Sequence, residues 1–275
     1  MIGQTISSDR TSTLLVGGVV LLGLYLAKLY SYLLFHTLAE IFSVVVACGI
    51  FMIAWNTRRL MDNNYFLLVG IASLCIASID LLHTLAYKGM GVFPGYGPDL
   101  ATQLWIADRY LQSFALLVAP WFLGRKLKAG WAVMAFGVAT ALLLTAIFAG
   151  IFPACFVEGV GLTPFKIGSE YLVCLLLLGA LFFMHKKTAD FDRGVVQLLS
   201  SAITAFIAAE LAFTLYSDVY GISNTVGHFL KVAGFYFIYK ALIETGLARP
   251  YALLFRELTA KAEELEAANL ELEAL

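Results

Sequence analysis

The sequence predicts an all-α fold: a polytopic membrane helix bundle with eight transmembrane helices, continued by a C-terminal cytoplasmic coiled-coil stem. Three observations lead there. Hydrophobic residues make up 61% of the 275 and charged residues only 13%, against roughly a quarter charged in ordinary soluble domains. The apolar residues fall in long continuous runs rather than alternating, which favours helices over a barrel. Beyond Pro250 the chain turns into a charged segment, ELTAKAEELEAANLELEAL, with heptad spacing.

A spanning helix needs about 20 apolar residues, because the hydrocarbon core is about 30 Å thick and each residue rises about 1.5 Å. Runs of that kind cover 12–33, 34–56, 65–87, 101–124, 130–151, 169–186, 194–217 and 224–246. The chain then divides into a short cytoplasmic N-terminus (1–11), a transmembrane domain (12–246) and a helix (250–275) leading to an output domain beyond Leu275. The first run has no small-residue cleavage site after it and is read as a retained anchor.

Loop charge sets the orientation. Arg58 and Arg59 follow the second run, Arg125, Lys126 and Lys128 the fourth, and Lys186, Lys187 and Arg193 the sixth. Positive loops stay cytoplasmic, so both termini fall inside. The alternate loops, 88–100 and 152–170, are poor in Lys and Arg and rich in Gly and Pro, as external loops are. Trp55, Trp105, Trp121 and Trp131 sit near the ends of runs, as in an aromatic belt. His185, beside Lys186 and Lys187, belongs to the cytoplasmic edge.

In the tail, Leu254, Leu258, Leu265, Ala268, Leu272 and Leu275 occupy a and d positions of one frame, with Lys261 the polar intruder. Such a stripe seeks a partner helix, and a parallel homodimer is the natural one; the alternative is a single solvated helix. Pro250 breaks the hydrogen-bond ladder where the last run meets this stem and is a possible coupling joint.

A net charge of −1 gives no sign of a nucleic-acid partner. Three cysteines, Cys48, Cys75 and Cys174, lie in apolar runs and only Cys155 is external, so no disulfide framework is implied. C-x-x-C, H-E-x-x-H and G-x-S-x-G are all absent, which leaves no catalytic nucleophile and no known metal helix. The glycines of 89–97 read as a tight external turn.

Ionisable groups inside spans cost at least about 2.5–3.5 kcal/mol near the bilayer centre, so each needs a partner or a purpose. His36 and Glu40 lie one turn apart at the start of the second run, and Asp80 and His83 one turn apart near the end of the third. Asp108 and Arg109 sit in the fourth, Glu210 in the seventh and His228 in the eighth. Loop charge places all eight in the outer half of the membrane, where they would form a polar pocket open to the outside. His36, Glu40, His83 and His228 are the candidate metal ligands, suited to Zn, Fe, Mn or Cu, and Asp80, Asp108, Arg109 and Glu210 the candidate ligand-binding residues. Two of the histidines as axial ligands of a haem, a proton-linked site, and a purely structural polar network are the alternatives.

The runs HTLAEIFSVVVACGIFMIAWNTRR (36–59), DNNYFLLVGIASLCIASIDLLHTLAYKGMGVFPG (62–95) and ATQLWIADRYLQSFALLVAP (101–120) resemble the MASE3 family of bacterial membrane-associated sensor domains. The positions that match are His36, Glu40, Trp55, Asn56, Asn64, Asp80, His83, Lys88 and Gly89. The resemblance implies a non-enzymatic input domain in a bacterial inner membrane, joined to a cytoplasmic histidine kinase or diguanylate cyclase. The rival reading is a membrane redox or metal-dependent protein, or a transporter, using the same His and Glu residues. Transporters show internal repeats, and none is evident here.

Overall fold

The computed structural model describes residues 2–59, 64–187, 193–215 and 220–243, together with Lys261. The expected stem at 250–275, its dimer and the Pro250 joint lie outside the described residues apart from Lys261. Eight long helices are described: α1 (Ile2–Tyr30), α2 (Tyr32–Thr57), α3 (Asn64–Ala86), α4 (Pro98–Val118), α5 (Ala129–Phe148), α6 (Pro164–Lys186), α7 (Arg193–Phe213) and α8 (Ile222–Ile243). The fold is all-α but for a hairpin of two short strands, β1 (Phe156–Val157) and β2 (Gly161–Leu162).

Helix ends follow local chemistry. The single residue Ser31 separates α1 from α2, and its hydroxyl caps α2 by accepting from the Leu34 N–H. α4 stops before Pro120 in a short 3-10 turn, Ala119–Phe122, so the fourth run is not one helix to residue 124. α6 starts five residues earlier than its apolar run does. Thr163 caps it, accepting from the Lys166 N–H at 3.2 Å, and Pro164 opens its first turn.

Six helices close a ring, α2 against α3, then α4, α6, α7 and α8, and back to α2, while α1 packs outside on α2 and α5 outside on α3. α4 is the most enclosed, with 16 of its 21 residues buried. α5 is the opposite: Trp131, Met134, Val138 and Leu142 all lie on its exposed face. An apolar helix that exposes such a face needs an apolar solvent around it. Five described helices, α2, α3, α5, α6 and α7, are long and apolar enough to cross a membrane, and Gly17–Tyr30 adds a shorter apolar stretch. α4 and α8 have similar length, but they carry Asp108, Arg109 and Lys231 inside the ring.

α7 and α8 meet through two holes seven residues apart. Gly227 receives the ring of Phe213, and Gly234 that of Phe206, whose edge lies 2.5 Å from where a Cβ at 234 would be. One end of the ring gathers the 87–97 turn, the hairpin and the α7–α8 junction. Asp99 accepts from the Cys155 and Phe156 N–H groups at 2.7 and 2.8 Å, Lys88 pairs with Glu158 at 2.8 Å, and the Tyr220 hydroxyl donates to the Lys88 carbonyl at 2.9 Å. All four cysteines are free. Burial, with Asp99 nearby, pushes the Cys155 thiol up to about 12.

Two outcomes follow from this packing. Gly234→Leu overpacks the α7–α8 contact and is expected to cost about 1–3 kcal/mol, seen as a lower unfolding midpoint in detergent; an unchanged midpoint contradicts the close approach. Cys155 is fully buried and its thiol stays protonated at pH 8. Maleimide should therefore label it far more slowly in the folded protein than after denaturation, and equal rates would contradict that placement.

Candidate functional site

The polar residues of the interior are delivered by turn spacing. His36 and Glu40 lie on one face of the first turns of α2, Asp80 and His83 on one face of the last turns of α3, and His228 and Lys231 on one face near the start of α8. Because α2 and α8 begin where α3 and α7 end, these turns meet at the same end of the ring. One donor atom from each of His36, Glu40, His83 and His228 lies within 4.8 Å of every other. The four side chains are 0–5% exposed.

The orientation of the rings is fixed by the backbone. His83 Nδ1 lies 2.7 Å from the Ala101 carbonyl and His228 Nδ1 lies 2.7 Å from the Asn224 carbonyl. A carbonyl only accepts, so each Nδ1 carries a proton and each ring turns Nε2 inward. Neither His83 Nε2 nor either nitrogen of His36 has a hydrogen-bonding partner. His36 is held by stacking on Tyr87, ring centroids 3.5 Å apart. His228 Nε2 stands 3.1 Å from Glu40 Oε1. With a neutral imidazole, two lone pairs face each other at that distance. A bound cation, or a second proton on His228, removes the conflict.

Lys231, 1% exposed, is the clamp behind the donors. Its ammonium pairs with Glu40 Oε2 and lies 2.8 and 2.9 Å from the two Asp80 oxygens, tying α8 to α2 and α3. Its ammonium also lies 4.7 Å from the Trp105 ring centroid. Sequence reasoning missed Lys231, although a lysine three residues after His228 carries the same signal as the other buried charges.

Of the four residues expected to bind a ligand, Asp80 is held by Lys231, while Asp108 and Arg109 pair with each other in the middle of α4, Arg109 also donating to Gln112 Oε1 at 2.7 Å. Glu210, in the last turn of α7, meets Glu170 of α6. Glu170 Oε1 takes Lys166 Nζ at 2.5 Å and Trp105 Nε1 at 3.2 Å, and Lys166 also donates to the Phe213 carbonyl at 2.7 Å. Lys166 and Glu170 were missed because they precede or begin the sixth apolar run and read as loop; the T-P pair at 163–164 was the available sign of an earlier helix start.

A cleft of about 400 Å³, its open mouth included, runs from Lys88 inward past Tyr87, Asn224 and Thr102 to Trp105, Lys166, His83 and His228. His83 and His228 thus stand between the cleft and the rest of the donor set. Asp80, Asp108, Arg109 and Glu210 do not line it.

Lys231→Met would leave two buried carboxylates facing each other. Removing one partner of such a pair costs about 3–5 kcal/mol, so a large fall in the unfolding midpoint is expected. Adding Asp80→Asn should recover part of it, and strict additivity of the two substitutions would contradict the clamp.

Comparison with known proteins gives one finding. No curated protein and no solved structure matches the chain. The model of a membrane-associated sensor domain family, MASE3, matches residues 27–250, well over half of the chain and every element that builds the donor cluster. The chain therefore belongs to the MASE3 family of membrane-associated sensor domains.

Proposed function

We propose that this sensor domain holds one transition-metal ion through His36, Glu40, His83 and His228, and that occupancy of the site is the state it reports. The observation that carries the reading is the set of inward-facing nitrogens: three buried imidazoles, two of them held at Nδ1 by backbone carbonyls, each turning a ring nitrogen toward one carboxylate oxygen. Carbonyl-fixed imidazoles are the usual support of metal-ligating histidines. Bonds of about 2.1 Å in a tetrahedron put donors about 3.4 Å apart, so the widest pair must close by about 1.4 Å from the 4.8 Å separation. Nitrogen with one carboxylate suits zinc and its first-row neighbours more than magnesium or calcium.

A haem fits the same residues poorly. The His36 ring centroid is 5.3 Å from that of His83 and 4.8 Å from that of His228, and all three rings crowd one point together with Glu40. That convergence leaves no slot for a macrocycle between two axial ligands.

The remaining chain suits transmission. With eight spans and both termini cytoplasmic, the cleft opens outward and α8 runs inward toward the 250–275 stem. The stem would pair two copies and carry the signal to a cytoplasmic kinase or cyclase. The metal pulls α2, α3 and α8 together, so it favours one packing of α8 over another by its difference in affinity for the two.

The test is metal analysis of the purified chain with added Zn²⁺ or Co²⁺, read together with the unfolding midpoint. About one ion per chain is expected, with a visible tetrahedral Co²⁺ spectrum and a stabilisation of about 2.7 kcal/mol at one hundred times Kd. His83→Ala and His36→Ala should lose both signals. Equal metal content and equal stabilisation in these variants would overturn the assignment.

A further inference from the structure

We propose that the buried carboxyl pair Glu170–Glu210 holds a proton that leaves when a divalent cation enters the three-histidine, one-glutamate site, so that the domain exchanges metal for protons. The inference rests on the metal reading above and goes beyond it by assigning a second site, for a proton, on different helices.

The first premise is charge. Among the described residues the buried ionisable groups other than histidine, cysteine and tyrosine are five acids, Glu40, Asp80, Asp108, Glu170 and Glu210, and three bases, Arg109, Lys166 and Lys231, each no more than 1% exposed. The acids exceed the bases by two. An interior of low dielectric does not sustain two uncompensated negative charges. One divalent cation compensates them, and without it two protons must.

The second premise is continuity. Lys231 joins Glu40 to Asp80, and Arg109 lies within the field of Asp80, Asp108 and Glu210. Glu210 meets Glu170, which Lys166 pairs. Charge placed at the donor cluster is therefore felt at the pair through the low-dielectric interior that all these groups share.

The third premise locates one of the protons. Glu40, Asp80, Asp108 and Glu170 each have an ion pair, whereas Glu210, 1% exposed, has none among the described residues. A buried carboxyl without a counter-ion, beside a second carboxyl, holds a proton. The Oε2 atom of each has no hydrogen-bonding partner. The groups facing the pair are Lys166 and Cys174 of α6 and Arg109 of α4. Lys231 of α8 is turned instead to Glu40 and Asp80. Lys166 stands in the wall of the cleft, which gives a proton leaving Glu170 a polar route to its mouth. None of these residues is a metal donor.

The experiment is infrared difference spectroscopy of the purified chain as Zn²⁺ is added, with the metal affinity measured in parallel across neutral pH. The C=O stretch of a protonated carboxyl should disappear as metal binds. That loss should be absent in Glu210→Gln and in Glu170→Gln, while both variants still bind the metal. The dependence of log Kd on pH should become shallower by about one proton in each. Metal binding with no change in the carboxyl band, or the same change in both variants, would overturn the proton site and leave the metal site standing. Absence of metal binding altogether would overturn both. Where neither variant folds, Glu210→Asp keeps a carboxyl at the site and should shift the frequency of the lost band; an unshifted band would overturn the assignment.

Discussion

The structure depends on one buried ammonium. Lys231 reaches across from α8 to Glu40 on α2 and Asp80 on α3, and the three helices that carry the donor cluster are the three it ties together. Burying an ion costs several kcal/mol after relaxation, and attraction offsets that only where geometry is close and every other proton is used. Here the ammonium has two carboxylates, with the Trp105 ring close by, which satisfies the condition. The position of the carboxylate oxygen Glu40 Oε1 follows from this clamp, because Lys231 occupies Oε2 and leaves the other oxygen turned toward the histidines.

Around that point the molecule is built in two solvents. α5 and much of α1 present Leu, Val, Met and Trp outward, while α4 places Asp108, Arg109, Gln112 and Ser113 entirely inside. An apolar exterior wrapped around a charged interior inverts the usual arrangement of a soluble domain, and it is stable only where the surroundings are apolar. The charged interior in turn has a composition that matters chemically. It holds two more acids than bases, and three imidazoles with inward-facing nitrogens sit at one end of the same network. On the metal reading, those two facts together make a cation and a proton alternative occupants of one electrostatic system.

Much of the site could be read from the sequence because a charge within an apolar run stands out. His36, Glu40, His83 and His228 were each found that way, and the i, i+4 and i, i+3 spacings put two of them on one face of α2 and one beside Asp80 on α3. Lys231 met the same test and was overlooked. Lys166 and Glu170 did not meet it, since the helix that carries them begins before its apolar run and only the Thr163–Pro164 cap marks its start. The helix ends shifted for equally local reasons, Ser31 and Pro120 breaking what hydropathy reads as continuous.

The sequence by itself determined the class of protein and the four residues of its donor cluster: long apolar helices, a handful of ionisable groups within them, and the motifs that place it in its family. Periodicity and hydropathy are local properties, so they state which face a residue occupies but not which other helix that face meets. Only the tertiary structure decided that α2, α3 and α8 converge, that Nδ1 of His83 and of His228 is spent on a backbone carbonyl, and that Glu210 finds Glu170 across the α6–α7 contact. Those are relations between residues up to 192 positions apart in the chain, His36 and His228 among them. They are set by how the ring closes, for which no stretch of sequence carries a local signal.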